Sequence, residues 1–213
     1  MDKRNYCTIY IIRHGQSHAN YPADIYGLNK GLTKKGKEQA QETAEKLKNI
    51  KFDVIFASPL IRAQETATII AAEHKLEILT KEALKERHSG SLDGRVIKEV
   101  EAELSHLVEM RENLPFKEWK KIPFGEGRET DEQIISRFIT ALREIAVGYP
   151  GKNIMLISHV ALMRPFLIHL GLTSYKELKG KKIDNASFIK IENDGVDFKV
   201  LELHGIDVEL KNG

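Results

Sequence analysis

Two histidines, two arginines and a glutamate stand where segments of this chain end in ways that suit chemistry. The β-branched run Thr8–Arg13 passes into Arg13-His14-Gly15-Gln16-Ser17. Asp53–Ala57 passes into Ser58-Pro59-Leu60-Ile61-Arg62-Ala63, and Asn153–Ser158 passes into His159. Glu86-Arg87-His88 follows a shorter run, Glu77–Thr80. In open α/β sheets, ligands bind beyond the carboxyl ends of strands, near a topological switch point. These side chains are therefore expected to meet.

Together they point to an oxyanion and a transferable group. Arginine presents a planar fork of donors that matches phosphate oxygens and always stays charged. A histidine with one unprotonated ring nitrogen is a nucleophile. Cations beside it disfavour imidazolium, so Arg13 and Arg62 would keep His14 neutral. The same cations suit the charge that spreads over equatorial oxygens in phosphoryl transfer. A leaving alkoxide needs a proton, which guanidinium does not give. Glu86 is the expected donor, and Glu82, Glu99 and Glu126 are its rivals. Gly15 allows close approach of the backbone to an anion.

The elements that must position these groups alternate between strand and helix patterns, the signature of an α/β fold with a mainly parallel sheet. After the first strand, Thr33 is placed to cap a helix that runs to about Asn49. Pro59 is expected to open a second helix, through about Ala72. A charged helix is predicted over Val96–Met110, then an irregular stretch over Asn113–Glu129. Asp131–Val147 carries an apolar stripe through Ile134, Ile135, Phe138, Ala141, Leu142 and Ile145. Ala161–Leu170 is a further helix. Ala186–Glu192 and Asp197–Leu203 flank the hairpin signal Asn193-Asp194-Gly195. The expected architecture is one domain over residues 1–213, a three-layer α/β/α sandwich with a cap inserted at about 91–130. Trp119 and Phe124 are expected to pack the cap onto the core.

Bulk composition narrows the function further. The 213 residues carry 33 basic and 31 acidic side chains, a net charge of +2. With no dominant basic stripe, neither nucleic acid nor an anionic membrane is the expected partner. The Lys117–Lys121 lysines read as a solvated face. Cys7 is the only cysteine, which excludes an internal disulfide and a zinc-type cysteine cluster. His18 and His88 pair with neither His14 nor His159 at a metal-ligand spacing, so no metal is expected. The apolar run at Tyr6–Ile12 is too short for a membrane span and lacks a cleavage site. The expected location is cytoplasmic. Oligomeric state is not legible.

In their order, these motifs resemble the histidine phosphatase superfamily, also called the phosphoglycerate mutase-like family. The resemblance rests on Arg13-His14-Gly15-Gln16-Ser17 with Asn20, and on Leu32-Thr33-Lys34-Lys35-Gly36. It continues through Ser58-Pro59-Leu60-Ile61-Arg62-Ala63 with Glu65-Thr66, Glu86-Arg87-His88-Ser89-Gly90, and Ser158-His159 with Arg164. It implies that His14 is phosphorylated, that Arg13, Arg62 and His159 line the phosphate pocket, and that Glu86 is the proton donor. It places Asn20 at a phosphate contact, and Tyr26 and Gly27 at the substrate. It implies no cofactor and no metal.

The chain departs from the mutases of that family at several positions. Ser89 stands where they usually carry Tyr, and Ile97 where they carry Lys, with Lys98 next door. Val160-Ala161 replaces Gly-Asn after the second histidine, although Val160 still offers its backbone N–H. Adjacent cap arginines are missing, with Arg95, Arg111 and Arg128 isolated in sequence. These departures favour a phosphatase acting on a small phosphorylated metabolite. The alternatives are mutase-type phosphotransfer and a phosphoprotein (phosphohistidine) phosphatase.

Overall fold

A computed structural model describes residues 6–22 and 24–210. Strands β1 (Cys7–Arg13), β2 (Val54–Ala57), β3 (Ile78–Thr80), β4 (Asn153–Ser158), β5 (Ile183–Asn193) and β6 (Phe198–Ile206) form one sheet, ordered β3-β2-β4-β1-β5-β6. The first four strands are parallel, and β5 and β6 run antiparallel to their neighbours.

Strand alternation divides the core between the two faces. Ile9 and Ile11 of β1 join Ile154 and Leu156 of β4 on one side, under helices α6 (Asp131–Gly148) and α7 (Val160–His169). Tyr10 and Ile12 join Met155 and Ile157 on the other, under α1 (Lys34–Leu47) and α2 (Ile61–Ala71). A strand buried on both sides reads as the unbroken apolar run seen in these segments. The result is the expected three-layer α/β/α architecture. The chain leaves β1 toward α1 on one face and β4 toward α7 on the other. That divergence between adjacent parallel strands opens a crevice at their carboxyl ends.

Local signals set most boundaries. Thr33 Oγ1 accepts the Gly36 N–H at 3.0 Å and starts α1. Thr130 and Gln133 form a reciprocal capping box at the start of α6. Three expectations need correction. Helix α2 begins at Ile61, because Leu60 is still extended and serves as the N-cap residue. The charged helix predicted over 96–110 is two helices, α3 (Ile97–Glu103) and α4 (Ser105–Asn113), broken where Leu104 leaves helical geometry at ψ 34°. The irregular stretch after it contains one helical turn, α5 (Phe116–Trp119).

Trp119 and Phe124 join the 91–130 segment to the rest of the fold through Tyr26, which lies outside that segment, and not through the sheet core. With Tyr26, Leu92 and Val100 they build a third apolar cluster, separate from both sheet faces. A polar knot ties that cluster to the main body: Trp119 Nε1 donates to Asp131 Oδ2 at 3.0 Å, at the first turn of α6.

Candidate active site

The two histidines meet at the crevice. His14 follows β1 and His159 precedes α7; their ring centroids are 5.0 Å apart, and both rings are buried. The backbone N–H of His14 donates to Ser158 O at 3.0 Å, continuing the β1–β4 pairing past the strand end. The His14 carbonyl accepts from Asn185 Nδ2 at 3.1 Å and from the Ala186 N–H at 3.3 Å. These donors come from an irregularity in β5 between Ile183 and Phe188, where Ala186 adopts φ +59°. A non-glycine residue held there marks a bulge that the surrounding structure enforces. The hairpin reading started this strand at Ala186 and missed the clamp.

The hydrogen bonds of His14 define its tautomer. Nδ1 lies 2.7 Å from Gly15 O, an acceptor, so Nδ1 carries the proton. Nε2 is the lone-pair nitrogen, and Arg62 Nε donates to it at 3.1 Å. Burial holds the His14 pKa well below 6.5, with Arg62 and Arg13 adding to the effect. Desolvation is thus the larger cause, ahead of the cation pair inferred from sequence.

Arg62 sits in the first turn of α2 and also donates to Leu28 O at 2.9 Å. Arg13 Nη1 donates to Ile183 O, while its Nε is buried and unpartnered. Burial lowers the Arg13 pKa to about 10, so it stays cationic at neutral pH. Two glycines allow the loop after His14 to lie against α1. A Cβ on Gly15 would stand 2.3 Å from Gly36 O, and one on Gly36 would stand 1.9 Å from Gln16 O.

Ser58 has a positioning role that sequence reasoning did not assign. His159 Nε2 lies 2.7 Å from Ser58 Oγ, and that oxygen already accepts a long contact, 3.4 Å, from the Leu60 N–H. Because His159 Nδ1 faces a carboxylate oxygen of Glu86, where a second lone pair would be repelled, the imidazole proton belongs on Nδ1, and Ser58 donates its hydroxyl proton to Nε2. Nδ1 is buried, has no hydrogen-bond partner among the described residues, and faces Glu86 Oε2 at 3.8 Å. Burial holds His159 neutral too, its pKa well below 6.5.

Glu86 completes the group. Oε1 accepts the Arg87 N–H at 3.1 Å, and Oε2 lies 3.8 Å from Arg62 Nη2. Of its sequence rivals, Glu82 lines a neighbouring cavity of about 420 Å³, while Glu99 and Glu126 line neither cavity described here. Asp24 is an acid that sequence reasoning missed. It lines the main cavity, and burial raises its pKa against the pull of Arg13.

All five predicted catalytic side chains are therefore brought together, and Arg13, His14, Arg62 and Glu86 line a cavity of about 710 Å³. The predicted binding residues Asn20, Tyr26 and Gly27 line it as well. Asn20 Oδ1 is taken by Ser17, through N–H at 2.7 Å and Oγ at 2.8 Å, so its amide NH₂ is the end left for a ligand. Gly27 has φ +71° and packs against Asp93 where a Cβ would not fit. Val160 stands on the wall at the start of α7.

Ligand atoms of His14, Glu86 and His159 lie within 4.8 Å of one another, a separation that a metal ion could bridge. Arg62 and Arg13 bear on both rings. That fixed positive charge opposes a cation and favours an anion. His18 and His88 stand apart: His88 Nδ1 contacts Gly127 O at 3.1 Å on the surface.

A six-stranded α/β/α sheet with paired histidines and arginines at the β1/β4 crevice is the framework of a phosphoryl-handling enzyme class. The chain belongs to the histidine phosphatase superfamily (branch 1), whose family model matches residues 9–205. It is 34% identical over 163 residues to phosphoglycerate mutase-like protein 4 of Arabidopsis thaliana, covering 75% of this chain and 69% of that protein. It is 29% identical to the adenosylcobalamin/alpha-ribazole phosphatase of Escherichia coli over 212 residues, covering 94% and 98%. Among solved structures, phosphoglycerate mutase from Bacillus anthracis superposes with a TM-score of 0.82 at 22% identity, covering 95% of this chain and 94% of that one. Among the described residues, no helix is long and apolar enough to cross a membrane.

Proposed function

We propose that the protein is a phosphomonoesterase that hydrolyses a small phosphorylated metabolite through a phosphohistidine on His14. One observation carries this reading. His14 presents a lone pair at Nε2, its proton fixed on Nδ1 by Gly15 O, inside a cradle of Arg13 and Arg62. In the first step, Nε2 bonds to phosphorus as the bond to the leaving oxygen breaks, and Glu86 gives that oxygen its proton. Positive charge grows on the imidazole, and the Nδ1–H bond to Gly15 O supports it. In the second step, water attacks phosphorus, the P–N bond breaks, and Glu86 takes the proton back. Arg62, Arg13 and His159 Nδ1–H supply donors for the three equatorial oxygens.

We further propose that the segment at about 91–130, with its own apolar cluster, serves as the cap that selects substrate. The test is hydrolysis of an aryl phosphate in the presence of a chelator. The expected result is phosphate release by the wild type and none by His14→Ala. No release by the wild type, or strict dependence on added divalent metal, overturns the reading.

A mutase reading has one observation in its favour: Arg111 and Arg128, isolated in sequence, line the same cavity as Arg164. Interconversion of phosphoglycerates with a bisphosphate primer decides it. Hydrolysis without interconversion removes this second reading.

A further inference from the structure

The side chain of Glu86 has few partners to fix it. Among the described residues, the Arg87 N–H is its only hydrogen-bond donor, at 3.1 Å to Oε1, while Oε2 stands 3.8 Å from both Arg62 Nη2 and His159 Nδ1. The peptide that supplies this N–H therefore sets where the carboxyl stands. Its carbonyl, that of Glu86, accepts from Arg137 Nη2 at 3.4 Å, a long contact. The firmer hold comes through the Arg87 side chain, which donates from Nη1 to Glu129 O at 2.9 Å and from Nη2 to Asp131 Oδ1.

Asp131 is more than a helix start. An acid in the first turn of a helix is ordinary, but this one is 4% exposed and takes side-chain donors on both oxygens. Oδ2 accepts from Trp119 Nε1 at 3.0 Å and from Tyr175 Oη at 2.6 Å. Indole N–H is a donor only. Burial, with Asp131 beside it, pushes the Tyr175 pKa up, so that hydroxyl keeps its proton. Both donors pack in the third apolar cluster, which fixes Asp131 from that side and leaves Oδ1 to Arg87. The Arg87 guanidinium bears on Glu86 as well as on Asp131. Asp131 thus supplies the counter-charge that Glu86 would otherwise be drawn to supply.

We propose that Asp131 is a positioning residue for the reaction: acting through Arg87, it holds the Arg87 N–H, and with it the Glu86 carboxyl, in reach of the leaving oxygen. A proton donor must lie within hydrogen-bond reach of the atom it serves, and a misplacement of about 1 Å costs about 10²-fold. The inference rests on the phosphatase reading for Glu86 as the proton donor. It also ties that acid to the 91–130 segment, because Trp119 holds the other oxygen of the same carboxylate.

Asp131→Asn keeps the shape and places an NH₂ where only donors point, so one side of the junction is broken. The test compares kcat/KM for propyl phosphate, whose leaving group needs a proton, with 4-nitrophenyl phosphate, whose leaving group does not. Asp131→Asn is expected to lower the first by about 10- to 100-fold and the second by less than about threefold. In a Glu86→Gln background, where no acid is left to position, Asp131→Asn is expected to change propyl phosphate hydrolysis by less than about threefold. If Asp131→Asn fails to fold, Arg87→Met asks the same question and leaves Asp131 its donors from Trp119 and Tyr175. A merely structural role lowers both esters by the same factor. Equal losses in every folded variant, or losses that multiply in the Glu86→Gln background, overturn the proposal. Amide hydrogen exchange at Arg87, read by NMR, is independent of turnover and is expected to quicken by about 10-fold or more in Asp131→Asn. Quickened exchange in a protein whose wild type hydrolyses neither ester would sink the phosphatase reading and leave the Asp131–Arg87 hold standing. Hydrolysis by the wild type with unchanged exchange and equal losses would do the reverse.

Discussion

Replacing Ser58 by alanine tests whether a buried hydroxyl sets the proton position of a catalytic imidazole. The 2.7 Å contact with His159 Nε2 is that nitrogen's only hydrogen bond among the described residues, and the ring is fully buried. Losing the donor leaves a buried acceptor unpaired, which costs about 1–3 kcal/mol. The ring relieves this by moving its proton or by turning, and Nδ1 then no longer offers N–H to a phosphoryl oxygen. A charge-assisted bond of that kind contributes about 1.5–3 kcal/mol, or roughly a 10- to 100-fold loss in kcat/KM. The loss should fall mainly on kcat, since the bond strengthens as charge builds on the transferring group. The assay pairs steady-state hydrolysis of an aryl phosphate with nitrogen NMR of labelled histidine. The wild type should show the Nδ1–H form at position 159, and Ser58→Ala should not. A kcat/KM within twofold of wild type, or an Nε2–H form in the wild type, refutes the reasoning.

Four further outcomes follow from the same geometry. Glu86→Gln should slow hydrolysis of alkyl phosphates by about 10²- to 10⁴-fold and of aryl phosphates by less, because a phenolate leaves without full protonation. Asp24→Asn should show a loss at least about 10-fold smaller, and the reverse order in parallel kinetics would move the acid role to Asp24. His14 and His159 have native pKa values below the unfolded value near 6.5, so below that pH only the unfolded chain takes up their protons. The stability they contribute is complete above about 6.5 and is lost as pH falls, by about 1.4 kcal/mol per pH unit for each ring. Urea titrations from pH 7 to 5 should therefore show a shallower decline for His159→Gln, and an unchanged slope contradicts the neutral buried ring. Gly36→Ala places a methyl 1.9 Å from Gln16 O, and should destabilise the protein by about 1–3 kcal/mol or more, read as a lower midpoint in urea. Wild-type stability would show that the His14 loop is not pinned by this contact.

The sequence carried the fold where strands are buried on both faces. The runs through Ile9–Ile12 and Ile154–Ile157 leave little choice but central parallel strands, and the arginines and histidines that follow them land at the crevice. Thr33 and Thr130 cap their helices through their own side chains, so those boundaries were local and readable. Three features were not local. The break at Leu104 has neither proline nor glycine to announce it. The bulge around Ala186 is recognisable only through what it holds, the His14 carbonyl and Thr43 Oγ1, the latter at 2.9 Å from Ala186 O. The gathering of Arg111, Arg128 and Arg164 depends on three elements converging, so their separation in sequence was a poor guide to their separation in space. Ser58 was visible as part of a motif, but its role follows only from the position of the His159 ring against it.

The most direct measurement is rapid acid-free quenching of the enzyme during turnover of a radiolabelled phosphate ester, followed by peptide mapping. The account predicts an acid-labile, base-stable label on the peptide that contains His14, absent from His14→Gln. Continued phosphate release with the label on another residue, or with no labelled protein formed at any time in turnover, would contradict it.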